Sequence, residues 1–195
     1  MTDQTTLDVY AAQAEDYAVL TKDTPNKHLS EFIAQLPKGG AALDFGCGPG
    51  FAAATMAEAG LRVLATDAVP EMVALAAQHP GVTAIEQDFS GPLEADGFDG
   101  IWANFSLLHA PRAAMPRHLA HLRAALKTTG VFHIGMKLGE GEKRDALGRL
   151  YTYYTEDELV GLLKDAGFDV TKRSYGRDIG LDGTEADWIC LRADG

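Results

Sequence analysis

Leu43-Asp44-Phe45-Gly46-Cys47-Gly48-Pro49-Gly50 decides the fold: an apolar run ends, three glycines alternate, and a helix begins. Glycine admits positive φ and lets a ligand approach the backbone closely. Open parallel sheets bind ligands in the crevice beyond the carboxyl ends of their strands. A tight strand-to-helix turn would also explain a lone glycine loop, so the detail decides. The dinucleotide fingerprint G-x-G-x-x-G would place its third glycine at position 51, where this chain has Phe51; the third glycine stands at Gly50. Asp44 lies inside the apolar run, where an unpaired carboxylate is costly. A ligand ammonium nearby would explain it, and so would a structural hydrogen-bonding role.

Working outward, apolar runs at 41–45, 61–66, 82–87, 98–103 and 131–136 read as strands bounded by Gly, Pro or Asp. They are short and continuously apolar, as strands covered by helices on both faces are. Between them, Pro49 to Gly60 and Pro70 to Pro80 read as helices opened by proline. A third starts near Pro111, with Met115, Leu119, Leu122 and Leu126 on one face and Pro116 weakening its start. Thr155-Glu156-Asp157-Glu158 is a capping box, and the helix it opens stops at Gly167. Segments 168–175 and 187–192 then form an antiparallel hairpin. The pattern predicts a doubly wound α/β fold, a mostly parallel seven-stranded, Rossmann-like sheet with an antiparallel C-terminal hairpin. Residues 1–37 read as two helices, with Tyr10 and Tyr17 on one face of the first, and 138–150 reads as a charged loop.

Two further acids follow strands. Asp67 ends the second, where a carboxylate suits two ribose hydroxyls or caps the helix opened at Pro70. Asp88 follows the third, able to accept from an adenine amino group while Phe89 offers an apolar face. Each has a structural alternative when taken singly. Three acids after three consecutive strands, the first with a glycine loop, form a pattern.

LDFGCGPG, LATDAVPEM, EQDF and FDGIWANFSLLH, in that order, resemble the successive motifs of class I S-adenosylmethionine-dependent methyltransferases, and TTGVFHIGMK resembles their fifth-strand motif. The resemblance runs from about residue 40 to the C-terminus and is nearest to the small-molecule, type 11/25-like group. It implies a helical lid at 1–37 and a cofactor-binding methyltransferase domain at 38–195. It implies S-adenosyl-L-methionine as cofactor, contacted by Asp44, Gly46, Cys47, Gly48 and Gly50. Asp67 would take the ribose with Ala68 and Met72 beside it, Asp88 and Phe89 the adenine. Asn104 would lie by the methionine portion, and Tyr10 and Tyr17 would close over the cofactor.

Methyl transfer from a sulfonium needs alignment more than a catalytic constellation. Asn104 and His109, after the fourth strand, are the residues expected near the chemistry. His109 is a candidate base, since histidine titrates near neutrality, or else a structural residue capping the next helix. His133, within a strand, reads as a core residue. His118 and His121 read as helix-surface residues, with no third ligand to make a metal site. Tyr151, Tyr153 and Tyr154 would line an aromatic acceptor pocket or fill the core.

Formal net charge is −11, with 17 Lys and Arg against 28 acids, which argues against a nucleic-acid partner. Lys172, Arg173 and Arg177 form a short basic strip best read as a solvated strand end. No apolar run is long enough to span a bilayer, and the N-terminus lacks the order of a signal peptide. Cys47 and Cys190 form no C-x-x-C pair. A bridge between them stays open, with a reducing, cytoplasmic compartment the simpler reading. The expected protein is a monomer or homodimer acting on a small-molecule methyl acceptor. The alternatives are an NAD-dependent oxidoreductase and a non-catalytic S-adenosylmethionine-binding protein.

Overall fold

The computed structural model describes residues 3–22 and 26–195, so residues 1, 2 and 23–25 of the expected lid lie outside the described residues. Helices α1 (Gln4–Ala12), α2 (Ala14–Thr21) and α3 (Lys27–Ile33) precede strand β1 (Ala41–Phe45). There follow α4 (Phe51–Glu58), β2 (Arg62–Asp67), α5 (Pro70–Ala76), β3 (Val82–Glu86) and β4 (Phe98–Asn104). Then come α6 (Met115–Ala125), β5 (Leu126–Lys137), β6 (Glu142–Arg144), β7 (Leu150–Thr152), α7 (Glu156–Asp165), β8 (Asp169–Ile179) and β9 (Glu185–Asp194).

Seven strands form one sheet in the order β3-β2-β1-β4-β5-β9-β8. The first five are parallel, and β9 and β8 close the sheet antiparallel, as the hairpin signal predicts. From β1 the chain winds outward through β2 and β3, then returns to β4 on the other side of β1. That reversal opens a crevice between the carboxyl ends of β1 and β4. Alternate residues feed two cores. Leu43, Phe45, Ile101 and Phe132 face α6 and α7, while Ala42 and Trp102 face α3 and α4. Asp44, two residues on from Ala42, therefore points to the α3–α4 side.

Five expectations change. The first N-terminal helix breaks at Gln13 (φ −118, ψ 14), so Tyr10 sits on α1 and Tyr17 on α2. The third helix ends at Ala125. Leu126 is already extended and pairs with Phe98, because β5 continues back past a register shift between Phe98 and Gly100. Pro116 does no harm, since it lies in the first turn of α6. Segment 138–150 is no plain loop: β6 and β7 pair antiparallel across it. His118 is buried, its ring 5.8 Å from Phe89, rather than on the helix surface. The Thr155–Glu158 capping box forms in both directions.

Candidate functional site

The glycine loop is shaped from both sides. Gly46 has φ +75, and a Cβ there would lie 2.3 Å from Ser106 Cβ, so only glycine fits. The Gly46 and Cys47 amides both donate to the Thr66 carbonyl, at 2.8 and 2.9 Å, tying the loop to the end of β2. Asp67 locks it: its Oδ2 accepts from the Gly48 amide at 2.8 Å and its Oδ1 from the Val69 amide at 3.0 Å. One carboxylate thus joins the loop to the residue that opens α5. Burial pushes the Asp67 pKa up, opposed by the amides of Val69, Gly48 and Ala68.

Asp44 is 3% exposed, and its Oδ2 has no hydrogen-bond partner. Burial, with the neighbouring Asp67 adding to it, pushes its pKa up to about 7 against the pull of the Ala53 amide. Asp44 lines the cavity, where a buried acceptor without a partner suits a cationic ligand group such as an ammonium.

That cavity occupies about 950 Å³ at the β1/β4 crevice. It brings together Tyr10, Tyr17, Asp44, Gly46, Cys47, Gly48, Asp67, Ala68, Met72, Phe89, Asn104 and His109. Gly50 and Asp88 are not among its lining residues. Gly50 (φ +83) turns away and packs so tightly that a Cβ would meet Ala76 at 2.7 Å, a structural use of glycine. Asp88 folds back within its own turn, its Oδ1 accepting from the Ser90 amide at 2.8 Å. The sulfurs of Cys47 and Cys190 are free.

His109 reaches the cavity with both ring nitrogens engaged. Its Nδ1 donates to the Leu150 carbonyl at 2.7 Å, which leaves Nε2 to accept from the Tyr10 hydroxyl at 2.8 Å. Burial pushes its pKa down to about 4, so the ring is neutral near pH 7. The expected base therefore has no free lone pair. The Tyr10 oxygen accepts in turn from Arg149 Nη1 at 2.8 Å, and Arg149 (1% exposed) is paired through Nε and Nη2 with Asp145. Two more links strap α1 to the β6–β7 hairpin: the Leu150 amide donates to Thr6 Oγ1 at 2.8 Å, and Arg144 forks onto Asp3.

Asn104 Oδ1 is bonded to His133 Nε2 at 3.0 Å, and its NH2 has no partner among the described residues. Gly135 makes room for it, since a Cβ there would lie 2.6 Å from that oxygen. Tyr151, Tyr153 and Tyr154 do not line the cavity; Tyr151 and Tyr154 are buried in the larger core. Its aromatic lining includes His28, Phe105 and Trp188, none of which the sequence reading singled out. Of the basic strip, Lys172 pairs with Glu31, Arg173 with Glu156 and Arg177 with Asp187. No helix among the described residues is long and apolar enough to cross a membrane, and no group of three metal-ligating side chains occurs among them.

Residues 42–130 match the family described as a methyltransferase domain. No curated protein matches by sequence. Among solved structures, the chain resembles Burkholderia thailandensis 1,6-didemethyltoxoflavin-N1-methyltransferase, holding 1,6-didemethyltoxoflavin and S-adenosylhomocysteine. The likeness covers 98% of this chain and 88% of that one, at 25% identity and TM-score 0.78. A Methanosarcina mazei S-adenosylmethionine-dependent methyltransferase matches over 87% and 97%, at 19% identity and TM-score 0.74. The cyclase SpnF shares the fold over 97% and 95%, at 17% identity and TM-score 0.71. The matched domain sets the NAD-dependent alternative aside. The motif order, the sheet topology and the matched domain agree: residues 42–130 match a methyltransferase domain, the chain takes the fold of S-adenosylmethionine-dependent methyltransferases, and S-adenosylmethionine is the cofactor they indicate.

Proposed function

We propose that the protein transfers the methyl group of S-adenosylmethionine to a small-molecule acceptor bound in the same cavity. The observation that carries this reading is the cavity of about 950 Å³, continuous from the orphaned carboxylate of Asp44 to the rings of Phe105 and Trp188. It lies at the upper end of the roughly 300–1,000 Å³ that ligand sites span, which leaves room for a small acceptor beside the cofactor.

When bound, the cofactor supplies a carbon already activated on sulfur: the acceptor's lone pair forms the new bond as the carbon–sulfur electron pair stays on sulfur. The chain's residues hold and exclude. Asp44 receives the ammonium, Asp67 offers its remaining lone pairs to ribose hydroxyls beside Ala68 and Met72, and Phe89 faces the adenine. Asn104 lines the cavity with its NH2 left free for a ligand. Orientation of this kind contributes roughly 7–11 kcal/mol in well-arranged systems.

Helices α1 and α2 act as the lid, whereas α3 belongs to the body, because Phe32 is buried against Trp102 at 5.3 Å. His109 is a positioning residue that fixes the Tyr10 hydroxyl under the lid rather than a base. A small acceptor is favoured because Tyr10 and Tyr17 line the cavity and the strip at 172–177 is already paired with acids. The similar Burkholderia enzyme also holds a small molecule together with S-adenosylhomocysteine.

Calorimetric titration with S-adenosylmethionine, S-adenosylhomocysteine and NAD tests the reading. Saturable binding of the first two and not the third is expected. Binding of NAD alone, or turnover of no acceptor across a broad panel despite tight cofactor binding, would overturn it.

A further inference from the structure

We propose that the far end of the cavity, walled by His28, Phe105 and Trp188, takes a planar aromatic acceptor. The inference rests on the reading above for its cofactor end only. Three rings from remote parts of the chain, on α3, after β4 and on β9, meet here and all line the cavity. The Trp188 centroid lies 6.1 Å from His28 and 6.1 Å from Phe105, at interplanar angles of 81° and 82°. The indole thus stands perpendicular to both other rings, the walls of a slot for a flat ligand that meets rings both edge-on and face-on.

The walls are held in place. His28 stacks on His133 (6.2 Å, 27°), which stacks on Trp102 (3.7 Å, 13°), so its ring ends a ladder anchored in the core. Trp188 Nε1 donates to Asp178 Oδ2 at 2.7 Å, which fixes the indole. Phe105 has φ +56, a conformation that costs an ordinary side chain roughly 1–2 kcal/mol. Its amide is held by the Gly135 carbonyl at 3.0 Å, where a Cβ on residue 135 would come within 3.2 Å of that nitrogen. Strain kept at a bulky residue that lines a cavity, on the edge of the core, points to a site.

Polarity narrows the class. The free NH2 of Asn104 can bind a ring nitrogen or oxygen, and Asp178 can accept from a ring N–H or O–H.

The test uses the full chain saturated with S-adenosylhomocysteine and three probes: 8-hydroxyquinoline, 1-naphthol and the non-aromatic decahydro-1-naphthol. Binding is read by calorimetry and by quenching of tryptophan fluorescence. Both aromatic probes should bind at least about tenfold more tightly than the saturated one. Trp188→Ala should reduce that preference, and Trp188→Phe should restore part of it. Phe105→Gly suits the left-handed backbone, so it should fold and bind S-adenosylhomocysteine while losing the aromatic preference. Equal binding of the saturated probe, or no aromatic binding to a chain that holds S-adenosylhomocysteine, overturns the inference and leaves the cofactor reading intact. Failure to bind S-adenosylhomocysteine at all overturns that reading instead.

Discussion

At the scale of single residues, Asp44 and Asp67 show how one chemical group serves opposite ends. Asp67 uses its oxygens on the chain's own amides, at Gly48 and Val69, before any ligand arrives. Asp67→Ala therefore does more than remove a ribose contact. It leaves two amides without an acceptor and should cost about 1–3 kcal/mol in urea denaturation, with weaker cofactor binding in calorimetry. Asp44 keeps an oxygen unpartnered, and burial raises its pKa from 3.8 to about 7. The sign follows: the folded, ligand-free chain holds a proton there that the unfolded chain loses above pH 3.8. The associated stability is present below that pH and is lost as pH rises through about 7. An ammonium bound beside Asp44 reverses the preference. S-adenosylhomocysteine binding near pH 6.5 should then release a proton, seen as a dependence of the calorimetric heat on buffer ionisation enthalpy and absent in Asp44→Asn.

At the scale of elements, α1 is held by the β6–β7 hairpin more than by its own sequence. The helix is short, with Asp3 capping the Thr6 amide at 2.9 Å but no acid in its first turn and no base in its last. It is fixed by Thr6 on Leu150, Asp3 on Arg144 and Tyr10 between Arg149 and His109. Arg149→Met leaves the carboxylate of Asp145 (6% exposed) buried without its cation, which costs roughly 3–5 kcal/mol. Hydrogen exchange of residues 4–12 should speed up and the cofactor should bind more weakly. Arg144→Ala, at an exposed pair, should cost no more than about 1 kcal/mol. His109 adds a pH signature. Its pKa falls from 6.5 to about 4 on folding, so its contribution is complete above pH 6.5 and lost as pH falls towards 4. The trend opposes that of Asp44 over the same window. Thermal melts of His109→Phe against the parent protein between pH 4 and 7 should separate them, the variant losing the acid-side decline that His109 causes.

At the scale of the whole molecule, the sheet reversal between β1 and β4 places a glycine loop and Asn104 at the two lips of one crevice. Residues of α1, α2 and the C-terminal hairpin wall it. A ligand bound there touches elements from both ends of the chain, so it should stabilise the fold as a unit. At one hundred times its dissociation constant, S-adenosylhomocysteine should add about 2.7 kcal/mol, and NAD at the same concentration should leave the melting temperature unchanged.

What the sequence determined by itself is local. The strands, the Gly46–Gly50 turn, the capping box at Thr155 and the acids at Asp44 and Asp67 are legible because a strand's end and the next helix's start lie within a few residues of each other. Their chemistry is written in adjacent letters. The tertiary structure alone decided the rest. Tyr10 meets His109 across 99 residues and Arg149 across 139, and no spacing rule reports such a pairing. Residues 138–150 read as loop because three-residue strands are too short to show alternation, and their partner is each other. Asp88 carries the right residue type after the right strand, yet its carboxylate closes on Ser90. His28, Phe105 and Trp188 are unremarkable where they stand in the sequence. Only the packing of α3, β4 and β9 brings their rings around one space, because long-range packing energy depends on shape and not on order along the chain.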